Sequence, residues 1–75
     1  MERPVIAPSA HRHGLDEEAI LDAFDNPIRS EDLDEDMTML IGPDHAGNLL
    51  EIGVVHSDQG PVIVHAMAAR PRYLR

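Results

Sequence analysis

The side chains best suited to anion chemistry stand together near the end of the chain, in the sequence RPRYLR. Arg70, Arg72 and Arg75 are three of only six basic residues in a protein whose net charge is −8. A planar guanidinium matches two phosphate oxygens and stays charged at any working pH. Tyr73 can stack on a base or donate a proton. These residues predict a small cationic pocket, unless the segment is a frayed end whose arginines pair loosely with surface acids.

The histidines are the other candidates, because an imidazole accepts or donates a proton near neutral pH. His11 and His13 lie in a short polar stretch, and His65 lies in the last apolar segment. A histidine before glycine, such as His13, is also typical of a helix end. We expect no metal site, because His11 and His13 would converge poorly on one ion from a helical turn. Since no nucleotide-binding glycine motif is present, we also expect no cofactor.

The charge distribution limits how an anion could be bound. Residues 1–36 hold eleven acids against three arginines, whereas residues 37–75 hold three of each. Repulsion from phosphate opposes binding through a diffuse surface, so any contact has to be local. The chain has no cysteine, which fits a reducing compartment such as the cytoplasm. No apolar run reaches a signal-peptide core or the roughly 20 residues of a membrane span, so we expect a cytoplasmic protein without membrane contacts.

The elements that must position these residues follow from the apolar pattern. LDEEAILDAFDNP predicts an amphipathic helix with Asp16 as its N-cap and Pro27 beyond its end. The acidic run IRSEDLDEDM is typical of a solvated loop. MTMLIG, LLEIGVVH and PVIVHAMAA predict three strands, and their short connections require antiparallel neighbours. We therefore predict an α+β fold in which an N-terminal helix or helices pack on a three-stranded antiparallel sheet.

We predict one domain over residues 1–75. Residues 1–10 are expected to form a flexible or extended N-terminal arm, and residues 70–75 a basic C-terminal tail.

Four short sequence motifs occur in a particular order: HGL at 13–15, EEA at 17–19, FDNP at 24–27 and AR at 69–70. With these motifs in this order, and with a strand hairpin before the last motif, the chain resembles the BrnT-like toxins, which are small RelE-like ribonucleases of type II toxin–antitoxin pairs. The resemblance spans about residues 11–73. It implies a RelE-like fold, an antitoxin protein as partner and RNA as substrate.

The resemblance also implies roles for individual residues. Metal-independent RNA cleavage needs a base for the 2′-hydroxyl, a cation for the phosphate and an acid for the leaving 5′-oxygen. His13 would be the general base if it lies near Arg70. The expected catalytic residues are then His13, Arg70, Arg72 and Tyr73, and the expected substrate-binding residues are His11, Arg12 and His65.

A different class of function fits the acidity better than ribonuclease activity does. The acidic helix and the acidic segment 31–36 would bind a basic partner in a non-catalytic protein–protein interaction module. Two copies could also form a homodimer through exposed strand edges. Both this module and the ribonuclease remain predictions from the sequence.

Overall fold

A single mixed β-sheet with one α-helix on one side makes up the computed structural model, which describes residues 3–75. The elements are β1 (Val5–Ile6), α1 (Glu17–Asp25), β2 (Arg29–Asp34), β3 (Met37–Pro43), β4 (Leu49–Ser57) and β5 (Gly60–Ala68). Two short 3₁₀ turns, Pro8–His11 and Pro71–Tyr73, follow β1 and β5. Within this described range, no helix has the length and apolar character needed to cross a bilayer.

The strand order is β1-β5-β4-β3-β2, with β1 parallel to β5 and every other pair antiparallel. The prediction of a RelE-like, three-stranded antiparallel sheet is therefore wrong. The three predicted strands form the centre of the sheet as β3, β4 and β5. An additional strand lies at each edge, and the sheet has five strands of mixed direction.

Strand β2 lies within the acidic run for which we predicted a loop. It pairs with β3 along its length, and the Asp34 carboxylate accepts a hydrogen bond of 2.9 Å from the Asp36 amide in the connecting turn. All six of its residues are exposed. Because neither face is buried, the strand needs no alternation of apolar and polar residues, and this is why the pattern resembled a loop.

The N-terminal segment, for which we predicted a flexible or extended arm, contains the extended strand β1 and the first 3₁₀ turn; its residues 1–2 lie outside the described part of the chain. The Ala7 amide donates to the Ile63 carbonyl at 2.8 Å, and the Ser9 hydroxyl donates to the Val64 carbonyl at 2.7 Å. These bonds hold the turn against β5 and bury Ala10 completely.

Helix α1 has the predicted N-cap, since the Asp16 carboxylate accepts a hydrogen bond of 2.8 Å from the Ala19 amide. Its buried residues pack with Leu50, Ile52 and Ile63 in the main core. The helix approaches β3 so closely that a Cβ on Gly42 would lie 2.5 Å from the Ala23 carbonyl oxygen. The absence of a side chain at Gly42 therefore sets how closely the helix can pack.

The other side of the sheet, which we call the open face, has no helix on it. Its residues include Arg29, Met39, Ile41, Glu51, Gly53 and His65. A bulge at Val64 shifts the register, so that Gly53 pairs with His65 but Val54 pairs with Ile63. The bulge allows Ile63 and Ala66 to face α1 while His65 faces the opposite side. A small second core of Met39, Ile41 and Tyr73 lies on the open face.

Candidate functional site

A fully buried carboxylate, Glu51, lies in the middle of β4 on the open face. Its Oε1 accepts hydrogen bonds from the backbone amide and the Nε of Arg70 at 2.9 and 3.0 Å. Its Oε2 lies 2.7 Å from a terminal guanidinium nitrogen of Arg70 and 2.8 Å from the His65 Nε2. Burial raises the pKa of Glu51, but the hydrogen bonds from Arg70 and His65 outweigh it and hold the pKa below its ordinary value. Glu51 is therefore an ionised anchor for two other side chains.

Arg70 follows β5 directly and reaches back over the sheet to Glu51. Its hydrogen bonds with Glu51 raise the pKa of the guanidinium above its ordinary value. Its side chain is 46% exposed, so one side of the group is in water while the other is paired. Because Glu51 neutralises it, Arg70 contributes little net charge toward an anion, and its clearest role is to fix the end of β5.

His65 and His13 meet edge to face, with ring centroids 5.7 Å apart and an interplanar angle of 78°. An ionised carboxylate can only accept hydrogen bonds, so the His65 nitrogen facing Glu51 carries a proton. His65 has room for its ring because Gly53 pairs with it across the strands; a Cβ on Gly53 would lie 3.0 Å from the His65 Cβ. His13, after the first 3₁₀ turn, is exposed at the outer side of this pair.

The C-terminal 3₁₀ turn places the Tyr73 ring over the open face, where it is 5% exposed. The guanidinium carbons of Arg70 and Arg72 lie 5.6 and 5.0 Å from the centre of this ring. Arg29 of β2 donates a hydrogen bond of 2.9 Å to the Tyr73 carbonyl and ties the turn to the sheet. The predicted basic tail is thus attached at two places, through Arg70 and through Arg29.

Arg72 differs from Arg70 because it is exposed and forms no ion pair with residues 3–75. Arg70 and Arg72 do not project together from a continued strand, since β5 ends at Ala68 and Pro71 opens the turn. Both guanidiniums instead lie over the Tyr73 ring, and this cation–π contact holds Arg72 at a position where it is exposed to solvent.

We call the group formed by Glu51, His65, His13, Arg70, Arg72 and Tyr73 the open-face cluster. Of the residues that the sequence suggested, the structure brings together His13, His65, Arg70, Arg72 and Tyr73. His11 and Arg12 are exposed, and neither makes a hydrogen bond to the cluster within the described chain; the His11 Nδ1 lies 3.3 Å from the Leu15 carbonyl.

Two residues that shape the cluster, Glu51 and Arg29, were missed by sequence reasoning. Glu51 does have a signal, because it is the single acid in the apolar strand LLEIGVV. A carboxylate in such a strand needs buried partners, and His65 of the next strand and Arg70 just after it could supply them. Arg29 stands in the acidic run and gives no comparable signal.

No set of three or more His, Cys, Asp or Glu side chains among residues 3–75 is arranged to hold a metal ion. Proton transfer and charge neutralisation are the chemistry that the open-face cluster offers. Comparisons of the chain with protein-family models, with curated proteins and with solved structures gave no match.

Proposed function

We propose that the protein is a cytoplasmic, metal-independent endoribonuclease of the toxin type and that the open-face cluster is its active site. The observation that carries this proposal is a continuous series of contacts: His13 meets His65, the buried Glu51 binds His65 and Arg70, and the guanidiniums of Arg70 and Arg72 lie over the Tyr73 ring. These groups supply the base, the cation and the acid that cleavage of a ribose phosphodiester requires.

The exposed ring of His13 removes the proton from a 2′-hydroxyl. The 2′-oxygen attacks phosphorus, the bond to the 5′-oxygen breaks, and the products are a 2′,3′-cyclic phosphate and a 5′-hydroxyl. The leaving 5′-oxygen takes its proton from the Tyr73 hydroxyl, because Glu51 holds the proton on the His65 Nε2. Arg72, whose charge has no carboxylate partner within residues 3–75, binds the phosphate oxygens.

Glu51 and Arg70 position these groups. Glu51 holds the His65 ring through the 2.8 Å hydrogen bond and holds the backbone at Arg70, just before the Tyr73 turn, through the 2.9 Å bond. Unrestrained RNA cleavage would stop growth, so a cell that makes this protein needs a partner, such as an antitoxin, that neutralises it.

The test is incubation of the purified protein with a single-stranded RNA oligonucleotide in excess EDTA, with products analysed for 2′,3′-cyclic phosphate ends. We expect His13→Gln and Arg72→Gln each to lower the cleavage rate at least about 100-fold. His45→Gln and Arg3→Gln remove the same side-chain types outside the cluster and should leave the rate unchanged.

Three results would contradict the proposal. They are no cleavage by folded wild-type protein, cleavage that occurs without EDTA but stops when EDTA is added, and a loss of cleavage rate in the control variants equal to that in the cluster variants. Induced expression in bacteria gives a second measurement. Growth should stop with the wild type and continue with Arg72→Gln at equal protein levels.

A further inference from the structure

The open face has a second region, at the end of the sheet away from Arg72, that consists of aliphatic side chains. Val5 pairs with Val62, Val62 with Val55, and Val55 with Met37. Paired residues of neighbouring strands share a face, so these four side chains form one line across β1, β5, β4 and β3. We call this line the apolar row. The row lies on the open face, because Met37 lies next to Gly53 on the side occupied by His65.

Helix α1 and the main core lie on the opposite side of the sheet, so the helix does not cover the apolar row. Val5 is 60% exposed, and Val55, Val62 and Met37 are half-buried. On the opposite face, the neighbouring residues Ile63 and Val54 are covered by the main core, with exposures of 0% and 2%. A contiguous aliphatic line on one face of a small acidic protein indicates a contact surface.

The row ends at a cluster of negative charge. Asp34 pairs with Met37 and continues the line into β2, and Glu35 and Asp36 form the adjoining turn. These three acids and the side chains of Met37 and Val55 line a shallow depression. Aliphatic contacts are therefore followed directly by a place for a cationic side chain.

We infer that the apolar row and its acidic end form a docking surface for a basic amphipathic helix of a separate protein. Neighbouring strands lie about 4.8 Å apart, and a helix presents a new apolar side chain about every 5.4 Å along its axis. A helix laid across the strands therefore matches the four-strand row with about three turns. Lysine or arginine at its end reaches Asp34, Glu35 and Asp36.

The charge of the chain selects this occupant over a second copy. A second copy would bring another net charge of −8 and the same acidic turn against the surface. A cationic helix satisfies both the aliphatic row and the carboxylates beside it. The surface uses no member of the open-face cluster, so the inference does not depend on ribonuclease activity.

The test is an NMR titration of the ¹⁵N-labelled full chain with a synthetic peptide of about four helical turns, with leucine on one face and lysine on the other. We expect the largest shifts at Val5, Met37, Val55 and Val62. A second peptide of the same composition, shuffled so that its leucines do not share a face, should bind at least about tenfold more weakly.

Two pairs of variants locate the surface. Val55→Ser with Val62→Ser should weaken binding about tenfold, whereas Ile28→Ser, which changes an exposed aliphatic outside the row, should not. Glu35→Gln with Asp36→Asn should weaken binding about threefold or more at low salt, whereas Glu17→Gln with Glu18→Gln, the same charge change on α1, should not.

The charge variants change only exposed residues, so they test the surface even if the serine variant does not fold. Shifts centred on α1, or equal binding of the shuffled peptide, would overturn the inference. So would concentration-dependent shifts of the row without peptide, because they would identify a second copy as the occupant.

Discussion

The face under α1 and the open face are built from alternating residues of the same strands, yet they are packed in different ways. Ile52 and Ile63, under the helix, are fully buried among other aliphatic side chains. Glu51, next to Ile52 in the chain, is equally buried but is hydrogen-bonded to Arg70 and His65. One face gains stability from apolar burial, and the other holds titratable groups in fixed positions at the cost of desolvating a carboxylate. The comparison shows how a very small domain can separate its core from its chemistry.

The largest effect is expected from a cavity under α1. Ile52→Ala removes a fully buried side chain from the centre of the main core. We expect it to lower the free energy of unfolding by about 2–5 kcal/mol, measured by urea denaturation. Ile28→Ala, at a position that is 67% exposed, should change it by less than about 0.5 kcal/mol. A small loss for Ile52→Ala would mean that the helix-covered face is not the main source of stability.

Two glycines offer a matched comparison of the faces. A Cβ on Gly42 would meet the backbone carbonyl of Ala23 at 2.5 Å, whereas a Cβ on Gly53 would meet two side chains, the flexible end of Met37 at 2.9 Å and the Cβ of His65 at 3.0 Å. We expect Gly42→Ala to cost about 3 kcal/mol and Gly53→Ala about 1 kcal/mol. Thermal denaturation of both variants measures their losses of stability. A larger loss for Gly53→Ala than for Gly42→Ala would contradict the idea that the backbone contact under α1 is the less able of the two to adjust.

The charged network on the open face should contribute a smaller amount than the core. Glu51→Gln removes the charge that Arg70 and His65 share, and the partial exposure of Arg70 screens the loss. We expect a decrease of about 1–3 kcal/mol in the free energy of unfolding. A double-mutant cycle with Arg70→Met should give a coupling energy above about 0.5 kcal/mol. Simple additivity of the two substitutions would show that the ion pair adds nothing to stability.

The smallest expected effect is the change in stability as the pH is lowered. The folded pKa of Glu51 lies below its ordinary value of 4.5, so its charge stabilises the fold above that value and this contribution is lost as the pH falls through the folded pKa. The stability difference between wild type and Glu51→Gln should therefore shrink as the pH falls below about 4.5. Asp44, whose pKa is lowered by hydrogen bonds with Asn48, affects both proteins equally. A difference that grew in acid would mean that the folded pKa is raised.

The same comparison explains what could be predicted from the sequence. Apolar periodicity correctly located α1 and the three central strands, because each of them buries a face. It could not locate β2, which buries no side chain, or β1, which is only two residues long. The roles of His13, Arg70, Arg72 and Tyr73 remain predictions. Glu51 was overlooked because its partners come from β5 and the segment after it, and sequence spacing does not show which residues face each other.

The bulge at Val64 decides which face of the sheet His65 occupies. If β5 kept Val64 but ran on as a regular strand, residues 63 and 65 would share a face, and the strand that packs Ile63 under α1 would also turn His65 toward the helix. An imidazole would then enter an aliphatic core, and Glu51 would lose one of its two partners. The faces that β5 presents are therefore set by this one bulge, and straightening it would separate the groups of the cluster even though the chain would keep every residue that carries the chemistry.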